Sequence, residues 1–292
     1  MRTPTIKSIA PPHPSPAKPA FVLPVGACDT HCHVFGPAAR FPYAANRRYT
    51  PPDAPAEKLA ALHRHLGISR AVLVQASAHG TDNSAMLEAI SRNPANLRGV
   101  AMVDATVSDA ELERLHAGGV RALRFNFVRH LGGAPDPTVV SRMAQRILPL
   151  GWHLVLHLDA EDLVEHESFL RSLPLPFVID HMGRVPAGAG LSQPPFKRLL
   201  DLMSSELAWV KVSGAERVST AGGDYADAIP FAAELIAAAP DRVLWGTDWP
   251  HPNVREMPDD GHLVDLVPHF APNQALRAKL LVDNPTRLYW SR

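Results

Sequence analysis

Short apolar runs alternate with longer helical patterns along the chain from residue 27 onward. The runs are rich in β-branched residues and most of them end in a polar residue, which predicts buried strands, while the longer patterns between them predict helices. The predicted strands end at His33, Ser77, Asp104, Asn126, Leu158, Asp180, Ser213 and Asp248. The predicted helices lie near 55–66, 82–92, 108–117, 138–149, 160–172, 196–205, 224–239 and 272–282.

Eight successive strand-then-helix units predict a parallel sheet covered by helices, and eight such strands can close into a barrel. We therefore expect an α/β fold, a single (β/α)8 TIM barrel that spans residues 27–292. Residues 1–26 differ, because seven prolines leave no room there for regular helix or sheet. We expect this segment to be a Pro-rich extended arm that runs over the surface.

Charge and cysteine content narrow the class of partner. The 29 basic residues equal the 29 Asp and Glu residues, so no net field attracts nucleic acid or an anionic membrane. No segment reads as a secretory signal or a bilayer span. Only two cysteines, Cys28 and Cys32, occur, which fits a reducing compartment. The sequence predicts a cytoplasmic enzyme with a small-molecule substrate and no nucleic-acid or membrane partner, and it leaves a homo-oligomer open.

The first predicted strand carries a His-x-His pair, His31 and His33. Strand side chains alternate between faces, so both imidazoles are expected on the same side, with Cys28 and Cys32 on the other. Two imidazoles from one strand are costly to bury unless a metal, an anion or a reacting carbonyl meets them. The pair therefore predicts catalysis.

Polar residues also cluster at the ends of the other predicted strands. In a barrel of this type the catalytic side chains come from the carboxyl ends of the strands and the loops that follow them. The residues at those positions include Ser77, Arg124, Asn126, His157, Asp180, His181, Arg184, Ser213, Arg217, Asp248, His251 and Asn253. We expect several of these groups to converge on one rim.

Six stretches, at 27–37, 41–54, 74–83, 119–127, 178–184 and 242–253, resemble the amidohydrolase superfamily, and within it the branch that hydrolyses 2-pyrone-4,6-dicarboxylate. The resemblance implies a lactonase that opens a carboxylated lactone ring without a divalent metal, so that no cofactor is favoured. It also implies catalytic roles: His31, His33 and His181 would polarise the lactone carbonyl. Asp248 would activate the attacking water.

The same resemblance implies the residues that bind a small anionic lactone. Arginine is suited to the carboxylates of such a substrate because its guanidinium forms two parallel hydrogen bonds. The expected contacts are Tyr49, Ser77, Arg124, His130, His157, Arg184, Arg217, His251 and Asn253. Two of these depart from the family pattern: His130, preceded by Arg129, lies where a second arginine is expected, and His157 lies where a tyrosine is expected.

His157 opens an alternative for the cofactor. In metal-dependent members of the superfamily, a histidine at the end of strand five joins the strand-one pair and the strand-eight aspartate around one divalent ion. By that pattern a Zn²⁺ ion would be bound by His31, His33, His157 and Asp248, a ligand set that suits zinc.

Two alternatives for the function stay open. On the same scaffold, the chain could be a sugar-acid (aldonic or aldaric) lactonase or a lactone isomerase, because fold similarity does not separate these activities. In a different class, it could be a non-catalytic binding barrel that keeps its histidines for packing.

Overall fold

The computed structural model describes residues 6–291, and its eight principal strands form one parallel sheet in chain order. The strands are β1 (Cys28–Cys32), β2 (Arg70–Val74), β3 (Leu97–Ala101), β4 (Val120–Asn126), β5 (His153–His157), β6 (Phe177–Ile179), β7 (Ala208–Lys211) and β8 (Val243–Leu244). The backbone N–H of Thr30 donates to the carbonyl of Trp245 at 2.9 Å, and that of Asp248 donates to the carbonyl of His31 at 2.7 Å. These bonds join the first strand to the last, and the predicted (β/α)8 barrel is confirmed.

Helices cover the outside of the sheet. They are α1 (Ala56–Leu66), α2 (Ser84–Arg92), α3 (Asp109–Ala117), α4 (Pro137–Ile147), α5 (Asp162–Glu165), α6 (Glu167–Ser172), α7 (Pro194–Leu202), α8 (Ala215–Val218), α9 (Ile229–Ala238), α10 (Asp260–Asp265), α11 (Val267–Phe270), α12 (Gln274–Ala278) and α13 (Asn284–Tyr289). A π-helical turn, Lys279–Asp283, connects the last two. Each predicted helix is present, although the one near 160–172 is divided in two, and α8, α10, α11 and α13 were not predicted.

The strands alternate between two apolar layers. In β2, Val72 and Val74 face the barrel interior, whereas Ala71 and Leu73 pack against the surrounding helices. Five valines, one from each of β3, β5 and β6 and two from β2, form much of this interior layer. This packed lower half leaves the carboxyl ends of the strands for polar side chains.

A register shift interrupts β1. Asp29 pairs with Ala71, but Cys32 pairs with Leu73, so β1 has one more residue than β2 between these pairs. Such a bulge changes which side chains face inward. Cys28 packs in the barrel interior and Cys32 in the outer layer, both as buried free thiols. The prediction that both cysteines lie opposite the histidines is therefore wrong for Cys28.

The described part of the arm, residues 6–26, is attached to the barrel at several points. Lys7–Ser8 pairs in parallel with Tyr49–Thr50, so the arm contains a short strand that its prolines had led us not to expect. Further along, the backbone N–H of Ala17 donates to the Asp259 carboxylate at 3.0 Å. The first five residues of the arm lie outside the described residues.

Within residues 6–291, no helix has both the length and the apolar character needed to cross a bilayer.

Candidate active site

A narrow cavity lies where the carboxyl ends of the strands meet. It is lined by His33, Tyr49, Ala76, Ser77, Arg124, His130, Leu131, His157, His181, Arg184, Arg217, Asp248, Pro252 and Asn253. Every predicted site residue except His31 and His251 is in this lining. The predicted convergence of strand-end side chains is therefore present in the structure.

Asp248 lies at the centre of the histidine cluster. Its Oδ1 is 3.3 Å from Nε2 of His33, 3.6 Å from Nε2 of His31 and 3.8 Å from Nε2 of His181. All four side chains are at most 2% exposed. The four predicted catalytic groups thus form one buried cluster, built from the ends of β1, β6 and β8.

The other oxygen of Asp248 is paired with Arg217. The Nε and Nη2 atoms of Arg217 each lie 2.5 Å from Oδ2, and Nη2 also donates to the carbonyl of Pro252 at 3.0 Å. Burial would raise the pKa of Asp248, but the Arg217 guanidinium and the His181 imidazole outweigh it and hold that pKa well below its usual range. Asp248 is therefore an ionised carboxylate, and the guanidinium predicted to bind substrate is engaged with it.

Below the cavity, His31 contacts two charged residues to which we had assigned no role. Its Nδ1 is 3.0 Å from Nζ of Lys211 and 3.2 Å from Oδ1 of Asp180, and Nζ and Oδ1 are themselves 3.0 Å apart. Burial, followed by the Lys211 charge, lowers the pKa of His31 to about 3, so the imidazole is neutral. One signal for Lys211 was available in the sequence, because a lysine inside the apolar run AWVKVS is costly to bury without a partner.

The remaining two imidazoles of the cluster are fixed by their Nδ1 atoms. Nδ1 of His33 is 2.7 Å from the carbonyl oxygen of Val74, and Nδ1 of His181 is 3.2 Å from Oγ of Ser213. Burial lowers the pKa of His181 well below its ordinary value. These contacts direct both Nε2 atoms towards Asp248.

The loops that carry the site have an unusual backbone. Among the described residues, the non-glycine residues with positive φ are His181, Met182, Arg184, Tyr225, Asp248, His251 and Asn253, most of them predicted site residues. Left-handed conformations of this kind cost on the order of 1–3 kcal/mol each and concentrate at functional sites. Gly214 allows the close packing there, because a Cβ atom on it would lie 2.9 Å from Nδ1 of His181.

Arginine and histidine side chains form the opposite wall. Arg124 donates to Oδ2 of Asp180 and to the carbonyl of Gln75, each at 3.3 Å. Nε of Arg184 is 3.4 Å from Oδ1 of Asp159, and its Nη1 is 3.5 Å from Nε2 of His157. These side chains therefore bring positive charge to the lining that they share with Asp248.

Three further residues, Tyr49, Ser77 and His130, line the cavity with polar groups that carry no charge. Burial raises the pKa of Tyr49 to about 12, with its hydrogen bond to Ser77 acting in the opposite direction. Partial burial also lowers the pKa of His130, an otherwise exposed residue at the edge of the cavity. Each of these groups is uncharged near neutral pH and can offer a hydrogen bond to a ligand.

His251 does not contact the cavity in which we expected it to bind substrate. Its backbone is left-handed, with φ of +59°, and this turn directs the ring towards α10, where Nε2 lies 3.0 Å from Oδ1 of Asp260. Its Nδ1 is 4.0 Å from the buried carboxylate of Glu216. His251 thus packs behind Asp248.

Comparison with known proteins identifies the family. The model of the amidohydrolase family matches residues 28–290. This chain belongs to the amidohydrolase family. It is 49% identical, over 286 residues and 94% of each chain, to a 2-pyrone-4,6-dicarboxylate hydrolase of Comamonas testosteroni. It is 45% identical, over 274 residues and 92% of each chain, to a 4-sulfomuconolactone hydrolase of Rhizobium radiobacter.

The fold of this amidohydrolase is also similar to a solved structure, a putative 2-pyrone-4,6-dicarboxylic acid hydrolase from Pseudomonas putida. The two chains are 36% identical with a TM-score of 0.80, over 91% of this chain and 98% of the other. The resemblance inferred from the sequence motifs is therefore confirmed.

Many amidohydrolases bind a metal, so we tested whether the cluster fits one. Ligand atoms around a tetrahedral Zn²⁺ lie about 3.4 Å apart when the bonds are ~2.0–2.1 Å long. His31, His33 and Asp248 have potential ligand atoms within 4.8 Å of one another. His157 does not join them, because its Nδ1 is 3.1 Å from Oδ1 of Asn126 and its Nε2 faces Arg184. The predicted set of four zinc ligands is therefore wrong for His157.

The structure brings His181 to the position expected for His157. The donor types of His31, His33, His181 and Asp248 suit zinc, and these are the residues that would hold it, but of the four only His31, His33 and Asp248 have ligand atoms that all lie within 4.8 Å of one another. Two cations already contact this set, since Arg217 pairs with Asp248 and Lys211 contacts His31. Their charge opposes the binding of a dication at the same place.

Proposed function

We propose that this amidohydrolase hydrolyses carboxylated lactones, with 2-pyrone-4,6-dicarboxylate as its first substrate. The observation that carries the proposal is the ionised Asp248, surrounded by three buried imidazoles and facing a wall of arginines. The high identity to two lactone hydrolases supports the same reaction. The residue roles given below belong to this proposal.

Hydrolysis requires a base for the water and donors for the carbonyl oxygen. Asp248 accepts a proton from water while the water oxygen bonds to the lactone carbonyl carbon. Negative charge then develops on the carbonyl oxygen, where the N–H groups of His31 and His181 stabilise the transition state more than the ground state. When the bond from that carbon to the ring oxygen breaks, Asp248 returns the proton to the ring oxygen. The product is a ring-opened enol that carries a new carboxyl group.

The substrate carboxylates meet the cationic wall. Arg184 is the most suitable contact, because it is only loosely paired with Asp159 at 3.4 Å and is 24% exposed towards the cavity. Arg124 also lines the cavity, and its buried Nε has no hydrogen-bond partner in the described part of the chain. Guanidinium groups at these positions fix the orientation of a planar dianion before the chemical step.

Replacing Arg184 tests the binding part of the proposal. In Arg184→Met, we expect KM for the pyrone dicarboxylate to rise about tenfold to a hundredfold, the loss of one charge-assisted hydrogen bond. We expect kcat to change little, because Arg184 does not contact Asp248. Steady-state kinetics measure both parameters. The control is Arg114→Met, which removes an exposed arginine paired with Glu111. An unchanged KM would contradict this role.

The proposed reaction does not require a metal. If zinc were bound, it would polarise the carbonyl and lower the pKa of its water to about 7. We expect metal analysis to find less than stoichiometric zinc, and turnover to be retained after dialysis against a chelator, because Arg217 and Lys211 already supply positive charge. Stoichiometric zinc whose removal abolishes turnover would favour the zinc-dependent alternative, with His181 in the ligand set.

A substrate panel tests the function itself. We expect the enzyme to open the ring of 2-pyrone-4,6-dicarboxylate faster than it hydrolyses or isomerises aldonic and aldaric lactones. Ring opening is measured by the loss of the ultraviolet absorbance of the pyrone. Rapid turnover of the sugar lactones alone would favour a sugar-acid lactonase or lactone isomerase. Binding without turnover of any lactone would favour the non-catalytic barrel.

A further inference from the structure

The two histidines of β1 are held at Nδ1 by partners with opposite hydrogen-bonding properties. The partner of His33 is the carbonyl oxygen of Val74, at 2.7 Å, which can only accept. The partner of His31 is the amine of Lys211, at 3.0 Å. A neutral imidazole has one N–H and one lone pair, so the partner at Nδ1 decides what Nε2 presents to the cavity.

The surroundings of Lys211 keep it a donor. Its side chain is fully buried, and Nζ is 3.0 Å from Oδ1 of Asp180, whose other oxygen pairs with Arg124 at 3.3 Å. Burial lowers the pKa of Lys211, but the adjacent Asp180 carboxylate opposes this shift and favours the ammonium form, which has three hydrogens and no lone pair. Asp180 Oδ1 lies 3.2 Å from Nδ1 of His31 but makes no hydrogen bond of good geometry to it. The hydrogen bond therefore runs from Lys211 to His31, and Nδ1 of His31 accepts it.

We infer that Lys211 is a positioning residue that holds His31 in the tautomer with its hydrogen on Nε2, while Val74 holds His33 in the opposite tautomer. Nε2 of His31, which lies beneath the cavity and 3.6 Å from Oδ1 of Asp248, then carries an N–H, whereas Nε2 of His33 presents a lone pair to the cavity. Nε2 of His31 is buried and has no hydrogen-bond partner among residues 6–291, as expected for a donor reserved for a ligand.

This inference rests on the proposed function for its chemical meaning. The N–H of His31 donates to the lactone carbonyl oxygen and keeps its hydrogen throughout. The Nε2 atom of His33 and Oδ1 of Asp248, 3.3 Å apart, are then both acceptors. A water that contacts both donates one hydrogen to each, which directs an oxygen lone pair to the carbonyl carbon. The two histidines therefore have different roles: His31 stabilises the charge on the carbonyl oxygen, and His33 orients the attacking water.

The tautomers can be measured without any substrate. In protein labelled with ¹⁵N-histidine, two-bond ¹H–¹⁵N correlation spectra distinguish the two forms, and His31→Gln and His33→Gln variants assign the signals. We expect His31 to have its hydrogen on Nε2 and His33 to have its hydrogen on Nδ1. In Lys211→Met we expect His31 to lose this preference and His33 to keep its own.

Kinetics test whether the tautomer matters. In Lys211→Met, we expect kcat to fall about a hundredfold or more, the effect of losing one preorganised donor, with KM little changed. Lys211→Arg, which keeps a donor, should recover part of kcat. Lys279→Met, which removes an exposed lysine paired with Asp241, serves as the matched control. If Lys211→Met does not fold, the tautomers seen in the spectra of the wild-type protein decide whether the inference holds.

Three outcomes would overturn the inference: a hydrogen on Nδ1 of His31 in the wild type, zinc bound to its Nε2, or an unchanged kcat in a folded Lys211→Met variant. Failure of the proposed function is a separate result. It would be seen as no turnover of any lactone, while the expected tautomers would still support the role of Lys211 as the residue that orients His31.

Discussion

Asp248→Asn is expected to lower kcat for lactone hydrolysis by about 10²–10⁴-fold, the range that a positioned general base contributes. Asparagine has nearly the same shape as aspartate but cannot accept the proton from water or return it to the ring oxygen. The wild-type side chain is ionised, since Arg217 lies 2.5 Å from Oδ2 and holds its pKa well below the usual range. Steady-state kinetics over a range of substrate concentrations measure the effect.

The control must separate chemistry from folding, because the substitution leaves the buried Arg217 without its partner. Circular dichroism and thermal unfolding should show that the variant is folded. Asp241→Asn, in which the carboxylate is 51% exposed and paired with Lys279, should retain full activity. A folded Asp248→Asn variant that keeps a tenth or more of the wild-type kcat would remove Asp248 from the role of base.

Asp29→Ala is expected to lower the free energy of unfolding by about 3–5 kcal/mol, because it removes one partner from a buried polar cluster. Asp29 is fully buried where the first and last strands meet. Its Oδ1 accepts hydrogen bonds at 3.0 Å from the backbone N–H groups of His31 and Thr247. Its Oδ2 accepts one from the Thr247 hydroxyl at 2.6 Å and lies 3.1 Å from Nε2 of His63. Alanine would leave all of these groups without the Asp29 carboxylate as a partner, at the place where the first and last strands close the barrel.

Urea unfolding, monitored by circular dichroism, measures this cost. Asp109→Ala provides the comparison, because Asp109 is 83% exposed and pairs with Arg146 on the surface. Exposed pairs contribute about 1 kcal/mol or less, so the comparison variant should be close to the wild type. A loss below about 1 kcal/mol in Asp29→Ala would mean that other contacts are sufficient to close the barrel.

The barrel could be predicted from the sequence because each strand and helix is a local pattern. The run AVLV, which forms residues 71–74 of β2, is apolar throughout, as a strand buried on both faces must be. Ser108, which precedes α3, accepts a hydrogen bond from the Glu111 N–H as an N-cap should. The convergence of His31, His33, His181 and Asp248 followed from the same reasoning, since the carboxyl ends of parallel strands meet at one rim.

The partners of those groups could not be predicted, because they depend on contacts between residues far apart in the chain. Lys211 and His31 are 180 positions apart and meet only after the barrel closes. The bulge in β1 reverses the face of Cys28, and no local pattern marked it. Likewise, the choice of His181 over His157 beside Asp248 follows from a left-handed turn after β6.

By itself, the sequence determined the barrel, the family and the set of polar side chains at one rim, because period and motif are properties of short segments. Only the tertiary structure decided which atom of each side chain faces which neighbour. That decision fixes the charge of Asp248 and the tautomer of His31, because both depend on cations brought within 3 Å by distant strands.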